Sequence, residues 1–194
     1  GNAYSAWFGR SNGLKINQIM CTTNVNDVLK RFIDSGILEP QTTKPSVAPS
    51  MDIQIPSSLE RLIYDFESDS SSFYQDLNKN KKGVLSENSR EKLQHIFRSQ
   101  TFDDEKIKQE IKILNDLFNI VFDPHTVTSL RMAIDIISNV PTVAVATASS
   151  EKFSNVISPL IEDFPGSEID QDEDFETLEP QKDQIIESIK AKFS

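Results

Sequence analysis

The polar residues best suited to binding a ligand lie close together between positions 24 and 31. Asn24, Asn26, Asp27 and Arg31 fall within this stretch. Helix capping accounts for Asn24 and Asp27, because Asn is a good N-cap and a carboxylate in the first turn complements the helix dipole. Asn26 has no capping role and Asn is a poor helix former, so its amide is a candidate for binding a polar ligand. Arg31 follows Asp27 by four residues, which predicts either an ion pair within the helix or recognition of a phosphate.

A second polar group lies beside a proline-rich loop. Ser50 and Asp52 follow a stretch that contains Pro40, Pro45 and Pro49. Loops held on a rigid scaffold often carry binding and catalytic groups. Ser50 and Asp52 are therefore candidates for contact with a substrate.

The histidines and the cysteine are expected to have structural rather than catalytic roles. His125 falls in the first turn of a predicted helix, where the dipole disfavours imidazolium, so a neutral structural histidine is favoured over a general base. Cys21 lies in an apolar run and is expected to be a buried thiol in a reducing compartment. His95 and His125 are far apart, and no spacing typical of metal ligands occurs, so no metal site is predicted.

The net charge of −10 is concentrated in one segment. Nine acidic residues and no Lys or Arg lie between Glu162 and Pro180. A solvated linker explains this run, and an interaction tail is the alternative. The absence of a basic stripe disfavours nucleic-acid binding, and no stretch approaches the roughly 20 apolar residues of a membrane helix.

Hydrophobic periodicity predicts the helices that position these groups. Helices are expected at 24–35, from residue 59, at 86–99, 103–119, 124–138, after residue 150, and at 181–193. Ser57-Ser58-Leu59-Glu60 predicts a capping box, Ser150 a cap, and Gly36 a helix end. The range 68–83 is predicted to consist mainly of surface loops around a short segment at 73–77.

Short apolar runs predict strands between the helices. We expect one at 18–22, a strand or extended segment at 51–55, and a strand buried on both faces at 142–146. Thr147 would then stand at the carboxyl end of a strand, where open α/β sheets bind ligands. Helices alternating with buried strands predict an α/β fold with a mainly parallel sheet.

Several motifs, in order along the chain, resemble those of the threonine synthase family. They are Gly1-Asn2; Thr22-Thr23-Asn24-Val25-Asn26-Asp27; Arg31-Phe32 with Gly36; Pro49-Ser50-Met51-Asp52-Ile53-Gln54 with Glu60-Arg61; Asp123-Pro124-His125-Thr126; and Ala146-Thr147-Ala148 with Lys152-Phe153. The stretch 22–61 is the most specific part of this resemblance.

The resemblance implies part of a fold-type-II enzyme that uses pyridoxal 5'-phosphate (PLP), with tryptophan synthase β-like architecture and a mainly parallel sheet flanked by helices. Such an enzyme is a lyase that converts O-phospho-L-homoserine and water to L-threonine and phosphate. The cofactor-binding residues it implies are Gly1, Asn2, Ser5 and Thr147. On the substrate side it implies Asn26, Asp27, Arg31, Ser50 and Asp52.

By the same resemblance the chain is the C-terminal portion of the enzyme, and the lysine that forms an aldimine with PLP is absent from it. The expected divisions are 1–161, the C-terminal part of the catalytic domain with a helical insert at about 67–119; 162–180, an acidic linker; and 181–194, a terminal helix. The expected partners are O-phospho-L-homoserine and the missing N-terminal part of the enzyme, without nucleic acid or membrane. The expected location is cytoplasmic, with a plastid or other organelle left open.

Among the residues that depart from the family pattern, three bear on the choice between an enzyme and a binding module. Ala3 and Tyr4 stand where the family has Phe and Gly, and Ser149 stands where it has His. These departures favour the alternative, a noncatalytic threonine-synthase-like protein that acts as a binding or interaction module.

Overall fold

Helices dominate the part of the chain that the computed structural model describes, which is residues 1–136, 140–164 and 181–193. The helices are α1 (Asn2–Ser11), α2 (Val28–Ser35), α3 (Leu59–Phe66), α4 (Ser70–Asn80), α5 (Glu87–Ile96), α6 (Asp104–Phe118), α7 (Pro124–Asp135), α8 (Ser154–Ile157) and α9 (Lys182–Phe193). The strands are β1 (Ile19–Thr23), β2 (Ile37–Leu38), β3 (Gly83–Val84) and β4 (Phe97–Thr101). Short 3-10 helices occur at Pro49–Met51 and Ser150–Phe153.

Strand β1 is the element to which the main layers attach. It pairs in parallel with β4, from Ile19 opposite Phe97 to Thr23 opposite Thr101. Helices α1, α2 and α7 contact it, and alternate side chains along it are buried. Strands β2 and β3 form a separate antiparallel pair. The predicted α/β class with parallel pairing is confirmed.

Two hydrophobic clusters form the core. The first joins α1, β1 and α2 to α5, and the second joins α6, α7 and α8. Ala48 is fully buried in the second cluster, so the loop beside Ser50 is anchored to α6 and α7. Cys21 is buried in the first cluster, and burial raises the pKa of its thiol to about 12. It is a core residue, as its apolar neighbours predict.

Apolar periodicity predicted the bounds of two helices, α6 and α9, to within one residue at each end. Helix α6 occupies the predicted range and buries Ile107, Ile111 and Leu114 on one face. Gly36 ends α2 with a left-handed φ of 73°, as a C-terminal glycine should. Helix α9 matches the predicted terminal helix within one residue. The acidic segment lies largely outside the described residues.

The predicted caps are wrong at three helices. Helix α2 begins at Val28, with Asp27 rather than Asn24 at the N-cap position. The amide of Asn24 is used in contacts with a distant loop. At α3, the N-cap position is Ser58 instead of the expected Ser57, and it makes no side-chain cap, so the capping box does not form. Ser150 lies inside a 3-10 helix whose N-cap position is Ser149, also without a side-chain cap.

The predicted strand or extended segment at 51–55 is not a strand. Residues Pro49–Met51 form a 3-10 turn, and the chain then bends. Side chains from this stretch bond to residues near 24–26, 41 and 46 instead of to a neighbouring strand. Hydrogen bonds from polar side chains therefore fix the backbone conformation here, which the alternation of apolar residues did not predict.

The buried strand predicted at 142–146 is the largest error. The segment has no regular structure, and Val143 and Val145 are 85% and 50% exposed. A strand buried on both faces needs a neighbouring strand for its backbone and a layer over each face. Neither is present among the described residues, so the apolar run lies open.

Strand β4 and helix α4 are among the elements that were not expected from the sequence. Strand β4 follows α5 directly, where a helix was predicted to continue to residue 99. Helix α4 spans the polar stretch that was predicted to be mostly loop, and Asp69 caps it by accepting from the N–H of Ser72 at 3.0 Å. The predicted helical insert at about 67–119 thus contains β3 and β4 as well as helices.

Candidate functional site

Four polar residues form a hydrogen-bonded group, here called the Asp52 cluster: Asn24, Asn26, Ser46 and Asp52. Oδ1 of Asp52 accepts from Nδ2 of Asn24 at 2.6 Å, Nδ2 of Asn26 at 3.0 Å and Oγ of Ser46 at 2.7 Å. Its Oδ2 accepts from the backbone N–H of Ser46 at 3.0 Å. These donors satisfy the carboxylate and hold the loop against the start of α2.

Asn26 also holds the loop through its side chain. Its Nδ2 also donates to the carbonyl of Lys44 at 2.8 Å, and its Oδ1 accepts from the backbone N–H of Lys44 at 2.8 Å. Its side chain therefore pairs with the loop backbone as a neighbouring strand would. Asn26 is 3% exposed and Asn24 is completely buried. Asn26 therefore has a structural role, which is to hold the loop at Lys44, although it does not cap a helix.

Arg31 forms the predicted ion pair and keeps one nitrogen unused. Its Nε donates to Oδ1 of Asp27 at 2.9 Å, and Nη1 donates to the carbonyl of Glu39 at 3.0 Å. Nη2 is buried and has no hydrogen-bond partner in the described part of the chain. The guanidinium is thus held at two points, with a third donor that could still serve an anion.

Asp123 organises the first turn of α7. Its Oδ1 accepts from the backbone N–H and Nδ1 of His125 at 2.9 and 2.8 Å, and its Oδ2 accepts from the hydroxyl of Thr126. Burial alone would raise the pKa of this carboxyl, but the hydrogen bonds from His125 and Thr126 outweigh it and the pKa lies below its usual value. Asp123 is therefore an ionised N-cap within the core.

His125 is a structural residue, as its place in the first turn predicted. It is 4% exposed, its Nε2 accepts from the backbone N–H of Ser50 at 3.1 Å, and its ring packs on Phe153 with centroids 4.8 Å apart. A backbone N–H can only donate, so Nε2 carries no proton and Nδ1 donates to Asp123. The hydroxyl of Ser50, in contrast, belongs to an exposed residue and has no partner among the described residues.

Thr147 is tied to α7 by its backbone. Its N–H donates to Oγ1 of Thr126 at 3.1 Å. Thr147 itself is exposed, and within the described ranges its hydroxyl makes no hydrogen bond. The backbone of Thr147 is thus held against α7 while its hydroxyl remains available to a ligand.

Gly1, Asn2 and Ser5 form the beginning of α1. The N–H and hydroxyl of Ser5 both donate to the carbonyl of Gly1, at 3.0 and 3.4 Å. No side chain caps this end, and its first turn has no acidic residue. The first N–H groups of a helix have no acceptor within the helix, so this end can bind an anion.

The predicted residues fall into separate groups. The turn at 49–52 joins the Asp52 cluster to His125, and Thr126 joins Thr147 to the same helix. No hydrogen bond or ion pair within residues 1–136 and 140–164 joins the start of α1 to Thr147. A cavity of about 280 Å³ lined by Ile33, Asp34, Gln94, Phe97 and Arg98 contains none of the predicted residues.

Three residues of these networks were missed as candidates: Ser46, Asp123 and Thr126. Asp123 carries a usable signal, because an Asp immediately before Pro marks an N-cap and the first helical position. Ser46 and Thr126 carry no comparable signal for their long-range bonds, since Asn24 and Thr147 lie more than 20 residues from them in the sequence.

The described residues contain no group of three His, Cys, Asp or Glu side chains that could hold a metal ion. Among the same residues, no helix is both long and apolar enough to cross a membrane.

Comparison with known proteins identifies the relatives of the chain. Threonine synthase of Pseudomonas aeruginosa is 29% identical over 163 residues, which is 81% of this chain and 35% of that protein. The crystal structure of PLP-bound threonine synthase from Brucella melitensis matches with a TM-score of 0.77 and 26% identity, over 82% of this chain and 35% of that one. The chain is related to the threonine synthases. No protein-family model matches it.

Yeast threonine synthase extends the match, at 25% identity over 89% of this chain and 38% of the yeast protein. The chain therefore spans little more than a third of the length of the threonine synthases it matches. The predicted relationship and the fold-type-II architecture are both confirmed. The residue-by-residue roles stay predictions.

Proposed function

We propose that this chain is the C-terminal portion of a threonine synthase whose complete form converts O-phospho-L-homoserine and water to L-threonine and phosphate. The observation that carries the proposal is the match to a PLP-bound threonine synthase over 82% of the chain at a TM-score of 0.77. A noncatalytic binding module is not favoured, because the relatives from two distant organisms are themselves threonine synthases.

The cofactor of the complete enzyme would be PLP, and two features of this chain fit it. The uncapped start of α1 offers backbone N–H groups to the cofactor phosphate, with Gly1, Asn2 and Ser5 around it. The free hydroxyl of Thr147 offers a neutral partner to the pyridine nitrogen. When bound, PLP supplies the electron sink of the reaction.

The residues of this chain would position the cofactor and leave covalent attachment to another segment. Thr147 would place its hydroxyl at the ring nitrogen and keep that atom from taking up a full proton. Lys30 is paired with Asp34, and neither it nor Lys15, Lys44 or Lys152 stands in the family's lysine motif. The lysine would come from the N-terminal part of the enzyme.

On the substrate side, the two groups with unused donors are the strongest candidates. Nη2 of Arg31 and the hydroxyl of Ser50 could each donate to the substrate phosphate or carboxylate. Asp27 would orient Arg31, and Asn26 and Asp52 would hold the loop that carries Ser50.

The exposed apolar segment supports the N-terminal part as the physical partner. Val143 and Val145 stand open to water although their sequence has the character of a buried strand. We expect the N-terminal part to supply a strand that pairs with 142–146 and the layers that cover its two faces. The buried free thiol Cys21 accords with a cytoplasmic enzyme.

Co-expression with the N-terminal part of the enzyme tests this function. The reconstituted protein is expected to take up PLP with visible absorbance and to release phosphate from O-phospho-L-homoserine. Thr147→Val should weaken PLP retention about tenfold, because it removes one hydrogen bond to the bound ring. Thr142→Val, an exposed threonine on the same segment, is the matched control. Equal retention by the two variants would refute the role of Thr147, and absence of PLP uptake by the unmodified protein would refute the function.

A further inference from the structure

The two oxygens of Asp123 serve different branches of hydrogen bonds. The side chain of Asp123 is completely buried at the start of α7. Oδ1 accepts from His125, and Oδ2 accepts from the hydroxyl of Thr126. Each of these neighbours then accepts one further bond from a residue far away in the sequence.

The first branch leads to Ser50. Because Asp123 fixes the proton of His125 on Nδ1, Nε2 stays an acceptor and takes the N–H of Ser50 at 3.1 Å. Ring packing against Phe153 restricts rotation of the imidazole. The turn that carries Ser50 is thereby attached to α7 across 75 residues of sequence.

The second branch leads to Thr147. The hydroxyl of Thr126 donates its only hydrogen to Asp123, so it presents lone pairs to the N–H of Thr147 at 3.1 Å. This bond is shorter than the other hydrogen bond from α7 to this part of the chain, which runs from the hydroxyl of Ser129 to the carbonyl of Val145 at 3.5 Å. The direction of one hydroxyl, set by Asp123, therefore determines whether Thr147 is held.

Helix α7 is itself fixed to the sheet. The hydroxyls of Thr128 and Thr22 lie 2.7 Å apart, and Thr22 belongs to β1. Both branches thus start from an element that cannot move independently of the sheet.

From these contacts we propose that Asp123 is a positioning residue that sets the spacing between Ser50 and Thr147 through His125 and Thr126. The inference rests on the proposed function, which places Ser50 on the substrate side and Thr147 at the cofactor ring. One buried carboxylate would then align the two sides of the active site without touching substrate or cofactor.

The test is residue-resolved amide hydrogen exchange of this chain without cofactor. His125→Phe keeps a ring against Phe153 and should accelerate exchange at the Ser50 amide about fivefold, because one hydrogen bond is lost. Thr126→Val keeps the side-chain volume and should accelerate amide exchange at Thr147 alone. Asp123→Ala should accelerate both.

Thr101→Val is the control, since Thr101 is a threonine of β4 whose hydroxyl lies 3.0 Å from that of Thr23 and belongs to neither branch. It should leave the ratio of the two exchange rates unchanged. The inference is overturned if His125→Phe and Thr126→Val accelerate both amides equally, or if Asp123→Ala accelerates neither.

A measurement on the unmodified chain guards against variants that fail to fold. Nitrogen NMR should find the proton of His125 on Nδ1, and finding it on Nε2 would also overturn the inference. Neither experiment uses PLP. A chain that shows the expected exchange pattern but never binds PLP with its N-terminal part would disprove the proposed function and leave the positioning role intact.

Discussion

At the scale of single residues, two carboxylates of this chain organise other groups. Asp52 and Asp123 each accept several hydrogen bonds and gather segments that are far apart in sequence. Such carboxylates gain stability from charge-assisted bonds, and they leave donors unpaired when they are removed.

Asp52→Asn should lower the free energy of unfolding by about 1–3 kcal/mol. The substitution replaces one carboxylate oxygen by an NH2 group, which then faces the N–H or O–H donors of Ser46 and the two asparagines and cannot accept from them. Urea unfolding measures the change. Asp116→Asn, at an exposed position of α6, is the control and should be neutral. Equal midpoints for the two variants would contradict the structural role of the Asp52 cluster.

Asp123 should contribute to the pH dependence of stability. Its folded pKa lies below the ordinary value of 3.8, so the folded state holds this proton less tightly than the unfolded state. Its contribution is complete above the unfolded pKa and is lost as pH falls through the folded one. Asp123→Asn should therefore flatten the fall in unfolding free energy below about pH 4. An unchanged acid limb in urea unfolding would show that Asp123 is not stabilised as an anion.

At the scale of elements, the turn after α2 gives a test of backbone conformation. Gly36 has φ 73°, and a Cβ there would lie 2.9 Å from Cγ of Arg90. Gly13 has φ 99° but nothing within 4 Å of its Cβ position. Gly13→Ala should cost about 1 kcal/mol for backbone strain alone.

Gly36→Ala should cost more than Gly13→Ala, since the side chain of Arg90 must also move. Thermal unfolding of the two variants measures the difference. A Gly36→Ala variant as stable as Gly13→Ala would show that Arg90 yields without cost.

The elements also show what sequence reasoning can reach. Helix α6 was predicted because Ile107, Ile111 and Leu114 repeat at helical spacing, a property carried by the local sequence alone. Asn24 was misjudged as a cap because its partners, Ser46 and Asp52, lie more than 20 residues away. The spacing of apolar residues predicts which helix face is buried. It does not predict which distant groups a polar side chain will contact.

The same limit applies to the candidate site: most of its residues could be predicted, and their contacts could not. The resemblance located Ser50, Thr147 and Asp123-Pro124-His125-Thr126, but the bonds among them could not be foreseen. The hydroxyl of Thr126 and the imidazole of His125 join segments whose relative placement depends on the whole fold.

At the scale of the whole molecule, the segment at 142–146 sets the expected behaviour of the chain alone. Exposed β-prone apolar sequence without a pairing partner favours association. Val143→Asp should leave the stability of the chain unchanged, because Val143 is 85% exposed, yet it should prevent assembly with the N-terminal part.

Co-purification of the two parts measures that assembly. Tyr64→Asp, at another exposed apolar position with 74% exposure, is the matched control and should assemble normally. Assembly of the Val143→Asp variant at the level of the control would refute pairing at this segment.

Cys21 offers a way to time the opening of the core. It is the single thiol of the chain, 6% exposed, with a pKa of about 12. In the closed state it has almost no thiolate and no path for a reagent. At mildly alkaline pH, modification by an aromatic disulfide must therefore wait for β1 to separate from its covering helices. At saturating reagent, the rate of colour release becomes the rate at which the first core cluster opens, read without any added label.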